Sequence, residues 1–219
     1  MTIISIDFSI LFPGVCVCRD FKSFKWIAGV NTSTTKKNAG YYDLVNHRYK
    51  DLNIFTTKTR RKKDDQYHVT ERIKMANYFE LVGTLIKEIK NEVGDDDLVI
   101  CLEGVSFGSS GNSLVDLSQS TGILKNELYK LLKGDLDKFF VFSPGTLKNA
   151  INCKGNASKV EVVEAFIQDP IIPSAKKSDL YKLLKNEDWV TNSKGIVLSP
   201  IIDMIDAYLG IAQLYKLLK

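Results

Sequence analysis

The chain is poor in the residues that build most metal and disulfide sites. Two histidines, His47 and His68, and four cysteines, Cys16, Cys18, Cys101 and Cys153, are spread over 219 residues. Their spacing makes no convincing zinc site. So few thiols, so dispersed, read as reduced cysteines of an intracellular protein. Cys16 and Cys18 alternate on a predicted strand and are placed on its opposite faces. No apolar run approaches the ~20 residues of a membrane-spanning helix. The N-terminus lacks a basic segment leading into a long apolar run, so no signal peptide is expected and the cytoplasm is the expected compartment. No internal repeat is visible. Charge of one sign is also in short supply: the formal net charge is +4. That charge is uneven, with "KTRRKK" at 58–63 against "GDDD" at 94–97. A basic run on a near-neutral chain suits a polyanion partner or a solvated loop.

What is present is enough sequence for one domain with a substantial core. Three short apolar runs read as buried strands: "TIISID", "DLVICLE" and "KFFVFSP". "GVCVCR" and "KWIAGV" follow the first run closely and suggest an antiparallel meander. "VTERIKMANYFELVGTLIKEIKNEVG" has helical periodicity, with Thr70 as its candidate cap and Gly94 as its end. Helices are also expected from "SLVDLSQSTGILKNELYKLL", "TLKNAI", "KVEVVEAF" and the C-terminal "IIDMIDAYLG". The order predicts an α/β fold with one mixed sheet, antiparallel hairpin strands followed by parallel strands, flanked by helices. Residues 1–219 are expected to form a single domain. Two stretches, about 31–68 and 168–199, read as insertions, the first irregular and exposed with at most one short element.

Four acids stand out. Asp7 and Glu103 each end a predicted buried strand, and strand ends are where sites gather in α/β sheets. Asp203 and Asp206 share one helix face at i, i+3, beside apolar neighbours at 202, 205, 209 and 212. Ser199 and Pro200 are start signals for that helix, and its first turn favours negative charge. Each acid alone reads as a turn residue or a capped surface helix. Convergence of all four would require compensation, because close carboxylates repel, and hard divalent cations such as Mg²⁺ supply it.

The motifs in series carry a resemblance. "IISIDFSILFPGVCVC", "LVICLEGVSFGSSGNSLVDLSQSTGIL", "SPGTLKNAINCKGNASKVEVVEAF" and "IIDMIDAYLGIA" resemble, in order, the blocks of RuvC-type Holliday junction resolvases of the RNase H-like superfamily. The resemblance implies an RNase H-like mixed sheet and a structure-selective endonuclease that resolves four-way DNA by paired nicks. It makes Asp7, Glu103, Asp203 and Asp206 the catalytic metal ligands for two Mg²⁺ ions, with Mn²⁺ as a substitute. It gives Lys154 and Lys159 phosphate contacts and Phe107 a stacking role at the site mouth. It also implies a homodimer built in part on residues 113–132, whose Leu114, Leu117, Ile123, Leu124, Leu128 and Leu131 exceed one narrow stripe. Arg60, Arg61, Lys62 and Lys63 lie outside the family pattern and are taken as an extra DNA-binding arm. The length and insertions point to a divergent phage, viral or low-GC bacterial version. A nuclease acting on flaps, forks or other branched DNA is the rival with the same chemistry. A sugar kinase or actin-like ATPase would need a duplicated domain and a glycine-rich adenosine loop. A DNA-binding protein with a relic site would be favoured by loss of any one acid.

Overall fold

A computed structural model describes residues 1–31, 39–60, 66–105, 111–192 and 196–218. Its centre is a six-stranded sheet built from β1 (Thr2–Asp7), β2 (Gly14–Arg19), β3 (Ser23–Asn31), β4 (Leu52–Thr57), β5 (Leu98–Glu103) and β6 (Phe139–Phe142). The order across the sheet is β4-β3-β2-β1-β5-β6. β2 runs antiparallel to both neighbours, while β1 pairs β5, β5 pairs β6 and β3 pairs β4 in parallel. Five strands therefore end at the same edge, which is where Asp7 and Glu103 lie. The mixed sheet flanked by helices matches the expectation.

The sheet is covered on both faces, as parallel strands require. Strand alternation sorts the side chains. Ile4, Ile6, Val15, Val17, Ile100 and Leu102 face one layer, formed by α2 (Tyr67–Val93) and α3 (Asn112–Leu131). Ile3, Cys16, Cys18 and Cys101 face the other, where α7 (Ile201–Leu217) lies across the sheet. Cys16 and Cys18 thus share a face rather than opposing one another, because residues two apart in a strand point the same way. α7 is buried almost all round, with Tyr208, Ile211, Ala212 and Leu214 at 0 % exposure. It is a central helix, not a capped surface helix. It begins directly after Pro200, and no side chain caps it. α2 already starts at Tyr67, so Thr70 lies inside its first turn rather than capping it.

Two glycines set how closely α7 approaches the sheet. A Cβ on Gly14 would stand 2.0 Å from the Asp203 carbonyl oxygen, and a Cβ on Gly210 would stand 2.1 Å from Ser5 Oγ and 2.6 Å from Cys101 Sγ. Only hydrogen at these positions lets the helix rest on β2, β1 and β5 at this height.

The two stretches expected as insertions are better organised than the sequence suggests. The first contains α1 (Ala39–Arg48) and β4, with Tyr42, Val45, Leu52 and Ile54 buried. Its weak periodicity hid a strand that extends the sheet in parallel. The second contains α6 (Asp179–Asn186), capped by Ser178, whose Oγ accepts from Tyr181 N. The two pack against one another. The Glu187 carboxylate accepts from Arg48 Nη1, Tyr49 OH and Trp189 Nε1, and the Asp179 carboxylate accepts from Asp51 N. The Tyr41 and Trp189 rings meet edge to face at 5.0 Å.

Candidate metal centre

The site forms where α7 passes over the ends of β1 and β5. Ser5 and Asp7 occupy alternate positions on β1, as Cys101 and Glu103 do on β5. Ser5 and Cys101 face Gly210 of α7, so strand parity turns both acids toward the same helix. From α7, Asp203 and Asp206 project back at i, i+3. One carboxylate oxygen from each of Asp7, Asp203 and Asp206 lies within 4.8 Å of the others. Glu103 stands outside that trio, near enough for its charge to act on Asp7. Of the four acids singled out in the sequence, Asp7, Asp203 and Asp206 converge within ligating distance, and Glu103 lies beside Asp7 without joining the trio.

Their electrostatics favour a cation. Burial and then the charges of Glu103, Asp206 and Asp203 push the Asp7 carboxyl well above the usual range. Burial and then Asp206 push Glu103 up to about 7. Burial also raises Asp206, against the opposing pull of Lys159. Asp203 is 5 % exposed, and its Oδ2 has no hydrogen-bond partner among the described residues. An orphaned buried carboxylate oxygen among three more acids is an all-oxygen donor set that fits a hard divalent cation.

The lysines divide differently from expectation. Lys159 is the first residue of α5 (Lys159–Gln168), and a capping box fixes that end: Glu161 N donates to Ser158 Oγ, and Ser158 N donates to Glu161 Oε2. From there Lys159 Nζ reaches Asp203 Oδ1 at 3.2 Å and Asp206 Oδ2 at 3.1 Å. Lys154 is exposed, and its charge acts on Glu161 rather than on the four acids. The residue missed in the sequence is Lys148, on α4 (Pro144–Ala150). Its Nζ donates to Ala157 O at 2.6 Å, and its charge favours the ionised forms of Glu103 and Asp206. The signal lay in the spacing, since Lys148 falls one turn into the helix that follows β6.

Phe107, Arg61, Lys62 and Lys63 lie outside the described residues. Arg60 is exposed, and its backbone is held by a buried side chain: Arg60 N donates to Asn77 Oδ1 at 3.1 Å, and Asn77 Nδ2 donates to Arg60 O at 3.2 Å. β4 leads into it at the same sheet edge as Asp7, three strand spacings away, or about 14 Å. On α3, Leu124 and Leu128 are fully buried, and Leu117, Ile123 and Leu131 pack on the same core. The apolar excess of that helix is largely consumed inside the chain.

The fold recurs in known structures. RuvC from Thermus thermophilus is 12 % identical, with a TM-score of 0.52 over 99 % of this chain and 96 % of that one. T. thermophilus RuvC in complex with a Holliday junction substrate is 11 % identical, with a TM-score of 0.50 over the same shares. The yeast mitochondrial Holliday junction resolvase is 14 % identical, with a TM-score of 0.47 over 96 % of this chain and 77 % of that one. No family model and no curated protein matches the sequence. The sheet order and its helical layers define an RNase H-like fold. Within that class the arrangement is the RuvC-like one. No helix among the described residues is long and apolar enough to cross a membrane.

Proposed function

We propose that the chain is a divalent-metal-dependent endonuclease that resolves four-way DNA junctions. The observation that carries this reading is the convergence of Asp7, Asp203 and Asp206, with Glu103 beside Asp7 and Asp203 Oδ2 orphaned among the described residues, on a RuvC-like fold. The four carboxylates would hold two Mg²⁺ ions, with Mn²⁺ as a substitute. Such ions, when bound, activate water and stabilise the leaving oxygen of a phosphodiester. The chain's own part is to position the carboxylates from a strand pair and a buried helix, and to supply cationic side chains for the phosphates. Lys159 and Lys148 stand nearest for that role, and by the sequence reading Phe107, Lys154, Arg60, Arg61, Lys62 and Lys63 would add further DNA contacts.

A four-way junction has approximate two-fold symmetry, and resolution needs two matched nicks. A C₂ homodimer supplies two sites in that relation. The enzyme acts in the cytoplasm, the host's if the source is a virus. The test is incubation of the protein and Mg²⁺ with a labelled synthetic four-way junction, a flap and a linear duplex of matched sequence. Paired symmetric cuts confined to the junction support the reading. Equal cutting of the flap transfers the substrate to branched DNA in general, and no Mg²⁺-dependent cutting of any of them overturns it.

A further inference from the structure

The two carboxylates on α7 are not equally available. Asp203 Oδ2 is buried and has no hydrogen-bond partner among the described residues, whereas Asp203 Oδ1 and Asp206 Oδ2 are both engaged by one ammonium group, Lys159 Nζ, at 3.2 and 3.1 Å. The geometry of this fork matters. A lysine that merely solvates a loop points into water, and one that pairs with a single carboxylate leaves the second acid bare. Lys159 instead sits across an i, i+3 pair, where a bridging cation would be held. Its helix end is fixed by the Ser158–Glu161 capping box, so the side chain starts from a defined point. Its own side chain is 55 % exposed, while those of Asp203 and Asp206 are 8 % and 13 % exposed. The ammonium therefore has an open path outward that the carboxylates lack.

We infer that Lys159 is a tethered occupant of one cation position, which a divalent ion must displace. The inference rests on the metal-binding reading of the four acids. It follows that the two ions enter on unequal terms. An ion that used Asp7 and the unpartnered Asp203 oxygen would meet no ammonium on those atoms. An ion that drew on Asp203 Oδ1 or Asp206 Oδ2 would have to evict Lys159, because the ammonium and the ion compete for the same oxygens and repel one another. The displaced Nζ carries its charge outward on the exposed side. A DNA phosphate arriving there receives it, so substrate and the second ion assist one another through a single side chain.

The experiment is calorimetric titration of Mn²⁺ into the full chain without DNA, for wild type, Lys159→Met, Lys159→Arg and Asp203→Asn. Wild type is expected to show a tighter and a weaker step. Lys159→Met should tighten the weaker step by about tenfold or more, since a unit charge within about 4 Å of the ion acts at reduced dielectric. Lys159→Arg should restore the weak step, because the charge is retained. Adding an uncleavable junction analogue should tighten that step more in wild type than in Lys159→Met, because only wild type also gains from handing the ammonium to a phosphate. Wild type and Lys159→Met binding Mn²⁺ alike, while Asp203→Asn loses it, would overturn the displacement and leave the metal site standing. No Mn²⁺ binding by any variant would overturn both.

Discussion

Gly14 and Asp203 touch through their backbones: a side chain at position 14 would begin 2.0 Å from the Asp203 carbonyl oxygen. Gly14 is also the β2 partner of Asp7 in the strand register. One glycine therefore sets the distance between a β1 acid and an α7 acid. Gly14→Ala forces α7 off the sheet, because backbone cannot rotate aside as a side chain can. Overpacking of this kind costs about 1–3 kcal/mol, which lowers Tm by roughly 2–12 °C in a chain of this size. Thermal unfolding measures the first effect. Mn²⁺ affinity, expected to fall as Asp203 moves away from Asp7, measures the second.

Asp7→Asn, Glu103→Gln, Asp203→Asn and Asp206→Asn each remove one charge from the cluster with little change in shape. Each is expected to lower cleavage of a four-way junction by about 10²-fold or more, the scale of losing a preorganised electrostatic interaction. Junction binding should be kept or tightened, since negative charge near the phosphates is removed. Gel-shift and single-turnover cleavage on the same samples separate the two effects. Near-normal turnover by Glu103→Gln would remove that residue from the site.

The raised carboxyls give a pH signature with a defined sign. Glu103 titrates at about 7 in the folded chain against an ordinary 4.5, and Asp7 and Asp206 shift the same way. The folded state then holds more protons than the unfolded one, so stability in EDTA falls as pH rises from about 4.5 to 7. Carboxylates lowered by partners, such as Glu187 and Asp96, contribute in the other sense, losing stability as pH falls below their ordinary values. Tm measured across this range should fall less steeply in Glu103→Gln, which cannot titrate there. Saturating Mg²⁺ should flatten the wild-type curve by replacing the protons. Equal slopes in the two proteins would refute the assignment.

Arg60 stands at the site's edge of the sheet, with its backbone gripped by Asn77. Neutralising Arg60, Arg61, Lys62 and Lys63 together should weaken binding to every DNA shape. The slope of log K against log salt should flatten by about 0.9 for each phosphate that the segment no longer neutralises. Cleavage at saturating protein should persist. Fluorescence anisotropy across a salt series reads the slope, and an unchanged slope would make the segment a solvated loop.

The acids were legible because each was marked twice, by residue type and by place: Asp7 and Glu103 at the ends of apolar runs, Asp203 and Asp206 at helical spacing. The long helix α2 was equally plain from Leu81, Leu85 and Ile89. β4 was not, because "LNIFTT" sits among polar residues and becomes a strand only by pairing beside β3. The burial of α7 was only partly visible, since a helix covered on every side has no polar face to reveal its orientation. Gly14 and Gly210 gave no signal at all. A glycine required by a helix packed across it looks, in sequence, like any other glycine.

The join between residues 39–57 and 179–190 has a consequence for descent. Glu187 gathers Arg48, Tyr49 and Trp189, so a carboxylate from one segment closes on groups from both. A lineage without residues 39–57 would leave Glu187 with Trp189 alone and Asp179 without the Asp51 N–H, and one without 179–190 would take from Arg48 and Tyr49 the carboxylate they share. The pair is then one heritable unit: among relatives the two segments should be present together or absent together, and exchanges at 187 should track exchanges at 48.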